Sequence, residues 1–133
     1  MENNNESTTE NSDYTKKMKV FFEWLRQKQA RDIVALDVKH INSVTEGVLI
    51  ASAVNARHAR ALADWILERM AKSGQEFLGM EGYSRGGWIL IDCNDFVLNI
   101  FQEDERKFYN LEGLWSDAPL ITMPEDETGN GQQ

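Results

Sequence analysis

The chain is poor in the residues from which small metal and catalytic centres are usually built. It has one cysteine, Cys93, in 133 residues, so no disulfide can close within it. Its two histidines, His40 and His58, are too few to complete a four-ligand zinc site with that thiol. A reducing cytoplasm fits this usage. No run approaches the roughly 20 apolar residues that a membrane span requires, and the opening residues are polar and acidic rather than basic and then apolar. A soluble cytoplasmic chain with no membrane partner is the expectation. There is no internal repeat, no nucleophile elbow, no triad pattern and no glycine-serine motif followed by paired carboxylates. Gly86-Gly87 precedes a strand-like run, whereas a phosphate loop precedes a helix, so the pair reads as a turn. His40, near a strand end, and His58, in a first helical turn, read as solvated or capping residues. Catalytic residues, cofactor and metal are all expected to be none.

Charge is present but unevenly placed. Residues 1–13 hold Glu2, Glu6, Glu10 and Asp13, and residues 116–133 hold Asp117, Glu125, Asp126 and Glu127, which together account for the net charge of −8. Between them fourteen basic residues balance fourteen acidic ones, with a surplus of five positive in 14–31 and of five negative in 73–115. An acidic C-terminal half repels nucleic-acid phosphate and suits a basic protein surface. Direct sequence-specific nucleic-acid binding is not expected.

Three segments follow from composition: a disordered polar tail over 1–13, a domain over 14–118, and an acidic flexible tail over 119–133. Within the domain, Met18, Phe21, Phe22 and Leu25 recur at helical spacing, predicting a helix from about Tyr14 to Gln29. Ile33–Val38 and Val48–Ala53 are short apolar runs of strand length. Asn55 caps a second helix whose stripe is Ala59, Leu62, Ala63, Ile66, Leu67 and Met70, stopped by Lys72 and Gly74. A weaker strand spans Phe77–Glu81. Glu103-Asp104-Glu105 reads as a helix start, where the helix dipole favours acids, rather than as a cation site.

Trp88–Cys93 and Phe96–Phe101 flank Asn94-Asp95, a pair that tolerates a tight turn, so an antiparallel hairpin is predicted. With a two-residue loop, Cys93 opposes Phe96, Leu90 opposes Asn99 and Trp88 opposes Phe101. Alternation then puts Ile89, Ile91, Cys93, Phe96, Leu98 and Ile100 on one wholly apolar face, where Cys93 is a structural thiol rather than a nucleophile. Trp88, Leu90, Asp92, Val97, Asn99 and Phe101 fall on the other. That mixed face has two readings. Aromatic and aliphatic area with a few polar groups resembles an interface centre, yet Leu111–Trp115 could equally cover it.

Four segments in order along residues 16–118 resemble the ribosomal silencing factor (Iojap-like) family. They are Asp32-Ile33-Val34-Ala35-Leu36-Asp37-Val38, Arg60-Ala61-Leu62-Ala63-Asp64, Glu81-Gly82 followed by Trp88-Ile89-Leu90-Ile91-Asp92, and Arg106-Lys107-Phe108-Tyr109-Asn110-Leu111-Glu112-Gly113-Leu114-Trp115. The resemblance implies an α/β domain with a mixed β-sheet of about five strands packed by helices, like nucleotidyltransferases but without their catalytic carboxylates. It implies a non-enzymatic repressor that binds the large ribosomal subunit through ribosomal protein L-fourteen and sterically blocks small-subunit association. The alternatives are a large-subunit biogenesis factor at the same site and a residual nucleotidyltransferase. By motif, Trp88, Asp92, Tyr109, Leu111 and Glu112 are the candidate contacts, and the hairpin alternation adds Leu90, Asn99 and Phe101. A homodimer is a further expectation. The chain departs from the family pattern at Glu46-Gly47, at Ala53-Val54-Asn55, and at Asn99, where the family has histidine.

Overall fold

A computed structural model describes residues 13–124. The predicted tails outside this range, residues 1–12 and 125–133, lie outside the described residues. Helix α1 spans Asp13–Gln27, β1 Arg31–Asp37, β2 Gly47–Ala53, α2 Ala56–Ser73, β3 Gly79–Glu81, β4 Trp88–Asp92, β5 Phe96–Gln102, α3 Glu103–Tyr109 and α4 Leu111–Leu114. The strands form one sheet in the order β1-β2-β5-β4-β3. Only the central β2–β5 pair is parallel, as its crossover through α2 requires. The mixed five-stranded α/β sheet expected from the sequence is therefore the fold.

The amphipathic stripes become the helical layer. Tyr14, Met18, Phe21, Phe22 and Leu25 of α1 and Ala59, Leu62, Ala63, Ile66 and Met70 of α2 are buried against one sheet face. Asn55 caps α2 by accepting from the His58 backbone N–H at 2.8 Å, and Gly74 ends it in the left-handed conformation at φ 72°. The opposite partners on the sheet are Ile89, Ile91, Cys93, Phe96, Leu98 and Ile100, each fully buried. Every residue of β2 is buried, and the strand, covered on both faces, is apolar but for Ser52.

The second sheet face holds a smaller core. Leu36, Val38, Val48, Ile50 and Phe101 cluster there beneath Leu111, Trp115 and Ala118. The chain's own C-terminal segment covers the β1–β2–β5 half of that face, as one of the two readings had it, and the β4 side is left partly open.

Two boundaries differ from expectation. The weak strand begins at Gly79, leaving Phe77 and Leu78 exposed. More consequentially, the flexible tail does not start at 119. The Asp37 backbone N–H donates to the Pro119 carbonyl at 2.9 Å, the Ile121 N–H to the Ala35 carbonyl at 2.8 Å, and Leu36 bridges Leu120 antiparallel. Ile121 and Met123 are buried in the main core. The physical reason is the open edge of β1, whose backbone groups need partners.

Two outcomes follow from this packing. A chain ending at residue 118 should lose about 3–6 kcal/mol of stability from two unburied side chains, while one ending at residue 124 should keep its thermal midpoint; equal losses would contradict the assignment. Burial pushes the Cys93 thiol up from 9.0 to about 12, so at pH 8 the folded protein holds about a thousandfold less thiolate than an ordinary cysteine. Its reaction with a disulfide reagent should be at least about 100-fold slower folded than in denaturant, and comparable rates would show an accessible thiol.

Candidate functional site

The open part of the second face is built from β4 outward. Register places Trp88 opposite Phe101, Leu90 opposite Asn99, Asp92 opposite Val97, and Glu81 of β3 opposite Leu90, so these side chains share a face. Asn94 adopts φ 81° in the turn, and its backbone N–H donates to Asp92 Oδ1 at 3.0 Å. Asp92 thereby helps hold the hairpin that presents it.

Trp88 sits at the boundary between the covered and open halves. Its ring stacks on Phe101 at 4.9 Å, and its indole N–H donates to Asn99 Oδ1 at 2.9 Å. Asn99 in turn reaches towards the Leu49 carbonyl at 3.5 Å. With the polar edge of the indole satisfied inward, the rest of the ring is free to be covered. Asn99 and Phe101, predicted on an accessible face, are only 2 % and 0 % exposed; they form the floor that orients Trp88. The departure from histidine at Asn99 lies in that floor, and asparagine still supplies the acceptor.

From Trp88 the aromatic surface continues outward. Tyr109 lies 4.7 Å from Trp88 between ring centroids, and Phe108 lies 5.0 Å from Tyr109 edge-on. Tyr109 is 48 % exposed, Phe108 79 % and Leu114 70 %. Phe108 and Leu114 were not singled out from the sequence. A weak signal existed, since two consecutive aromatics on a seven-residue helix point about 100° apart.

The remaining motif residues hold the platform together. Arg106 is buried, and its guanidinium donates to Glu112 Oε2 at 2.8 Å and to Ser52 Oγ at 2.7 Å. A further bond runs from Arg106 Nε to Glu112. This fork ties α3 and α4 to β2. Asn110 adopts φ 48° between the helices, and its side chain accepts from the Gly113 N–H at 3.2 Å. A Cβ at Gly113 would collide with that amide. Leu111 packs into the second core. Glu112 and Leu111 are therefore structural first, with Glu112 retaining partial exposure.

The surroundings are acidic. Asp92 and Glu81 flank Leu90, Glu103, Asp104 and Glu105 open α3, and Glu105 lies 3.8 Å from Arg85 at an exposed position. Exposed apolar rings rimmed by carboxylates suit a partner that is both basic and apolar. Among the described residues no group of histidine, cysteine and carboxylate side chains could hold a metal ion, and no helix is long and apolar enough to cross a membrane.

Comparison with known proteins agrees with this geometry. The profile of the family described as "Ribosomal silencing factor during starvation" matches residues 10–133. The ribosomal silencing factor of Bacillus subtilis is 40 % identical over 96 residues, covering 72 % of this chain and 81 % of that protein. A mouse protein named for mitochondrial assembly of the ribosomal large subunit is 27 % identical, covering 77 % of this chain and 50 % of that protein. A crystal structure of a Chromobacterium violaceum protein superposes with a TM-score of 0.76 at 25 % identity, over 86 % of this chain and 92 % of that one. With a profile matched across nearly all its length and the fold to go with it, this chain belongs to the ribosomal silencing factor family.

Proposed function

We propose that the open sheet face binds a basic protein of the large ribosomal subunit, ribosomal protein L-fourteen, and that the bulk of the domain then blocks association of the small subunit. The observation that carries this reading is the aromatic ladder that runs from half-buried Trp88 through Tyr109 to exposed Phe108. Half-buried Leu90, with Asp92 and Glu81, lies on the same sheet face as Trp88, and the acids of α3 stand at the start of the helix that carries the other two rings. Desolvated aromatics supply area at low entropic cost, and the acidic rim steers a cationic partner. The action is repression of translation by occlusion in the cytoplasm and needs no catalytic group. The names of the bacterial relatives support it.

A second reading has its own observation. The mouse relative is named for large-subunit assembly, and a factor bound at the same face during assembly would use the same residues. The stage of the particle that carries the protein separates the two. A second copy of the chain could also cover the face, and self-association would then compete with ribosome binding.

The purified protein should co-sediment with large subunits and lower the joined-ribosome peak when added before small subunits; equal distribution over both subunits would sink the proposal. Within that assay, Tyr109→Ala should weaken binding with little loss of stability. Trp88→Ala should cost about 2 kcal/mol of binding, roughly thirtyfold, together with some folding stability through Phe101 and Asn99. Ile91→Ala in the core should cost about 2–5 kcal/mol of stability and leave affinity per folded molecule unchanged. Asp92→Lys should slow association and flatten its salt dependence. If Tyr109→Ala and Asp92→Lys both bind normally, the face is a bystander.

Glu112→Gln tests the other assignment. It leaves the buried Arg106 guanidinium without its carboxylate, so stability should fall by on the order of 2 kcal/mol, less than for a fully buried pair because Glu112 is partly solvated. Denaturant unfolding measures this. Unchanged stability with weakened subunit binding would place Glu112 in the interface instead.

A further inference from the structure

The helical side of the domain carries an unneutralised cation pair that the sheet-face reading does not use. Residues 14–31 bring a surplus of five positive charges, and α2 adds Arg57, Arg60, Arg69 and Lys72. Several of these are already balanced: Arg26 pairs with Glu23 at 3.3 Å and Lys72 with Glu68 at 3.3 Å. Lys28 and Arg69 are not. Neither has a carboxylate partner among the described residues, and Arg69 Nε is buried without a hydrogen-bond acceptor.

Both cations are organised by one indole. Lys28 Nζ lies 4.4 Å and the Arg69 guanidinium carbon 4.7 Å from the Trp65 ring centroid, so the two charges are at most about 9 Å apart. Trp65 is itself fixed, its Nε1–H donating to the Trp24 carbonyl at 3.0 Å. The end of α1 is held as well, with the Lys28 carbonyl 2.8 Å from His58 Nε2. His58, Trp65 and Arg69 recur at i, i+7 and i+11, one stripe of α2 along its seam with α1. Arg57, exposed next to His58 in the chain, is rotated by more than a quarter-turn around α2 from this stripe and lies about 18 Å along the axis from Arg69.

We propose that Lys28 and Arg69, set around Trp65, form a contact for the phosphate backbone of RNA, so that the helical side meets nucleic acid while the acidic sheet side meets protein. Stacking on the indole covers one face of the guanidinium and leaves its N–H edge for a phosphate oxygen. Because Trp65 already restrains both side chains, less rotamer freedom is lost when they bind. The excess negative charge of the chain lies elsewhere, in the terminal segments and in 73–115. The contact reads no base sequence.

Binding of the full chain to a fluorescent RNA duplex of arbitrary sequence, followed by anisotropy across a salt series, tests this without any ribosomal protein, so its outcome is separable from that of the sheet-face reading. The wild type should bind at low salt with affinity falling as salt rises. The Lys28→Gln, Arg69→Gln double variant should bind at least about tenfold more weakly, with the log–log salt slope shallower by about 1–2. Arg26→Gln with Lys72→Gln, which removes two charges already paired, should change both far less, and Lys28→Arg should restore binding to the Lys28→Gln position. Should the double variant fail to fold by circular dichroism, Lys28→Gln alone carries the test from its exposed position just past α1. Absence of wild-type RNA binding at low salt, or equal slopes for the two double variants, overturns the proposal. So does tighter, variant-sensitive binding of polyglutamate, which would assign the pair to an acidic protein.

Discussion

The two-residue turn at Asn94-Asp95 sets the register of β4 against β5, and nearly every later feature depends on that register. With Trp88 opposite Phe101 and Ile91 opposite Leu98, six apolar side chains enter the helical core and Trp88, Leu90 and Asp92 leave it. A slip of one residue would exchange the faces, burying Asp92 and exposing Ile89 and Ile91. The left-handed backbone of Asn94 and its hydrogen bond to Asp92 make the turn and the site parts of one structure.

Around that hairpin the two faces of the sheet differ in how they are covered. The helical layer closes the main core and carries basic residues outward. On the opposite side, α3, α4 and the segment through Ala118 close a second core over β1, β2 and β5 but stop short of β4. What stops them is the Arg106–Glu112–Ser52 cluster, which holds α4 against β2 and leaves Trp88, Tyr109 and Phe108 along the margin. The exposed aromatic ladder is thus a consequence of where the C-terminal helices are tied down.

The element order, the capped second helix, the hairpin and its pairing could be read from residue spacing, because each is set by local chemistry: an asparagine cap, a stripe of 3.6-residue period, an alternation of two. The candidate site was legible only in part. Trp88, Leu90 and Asp92 were placed on the correct face, but alternation shows which side a residue takes and not how deeply it is covered. Asn99 and Phe101 therefore appeared accessible. Glu112 looked like a contact because its motif named it, whereas its carboxylate answers the charge of Arg106. Phe108 and Leu114 lie within the same motif, and only the fold shows that they are exposed.

Residues 119–123 show most clearly where local reading ends. Pro119-Leu120-Ile121-Thr122-Met123 is short and opens on a proline, so it does not announce a strand; the edge of β1 offers it carbonyl and amide groups and the core offers space for Ile121 and Met123. The amino-acid sequence by itself determined the helices, the strands and their faces, since propensity, capping and periodicity act within a few residues. Tertiary structure alone decided burial depth, the partner of Arg106, the indole that gathers Lys28 and Arg69, and the bridge of residues 119–123 to the edge of β1, since each depends on groups brought together from distant parts of the chain.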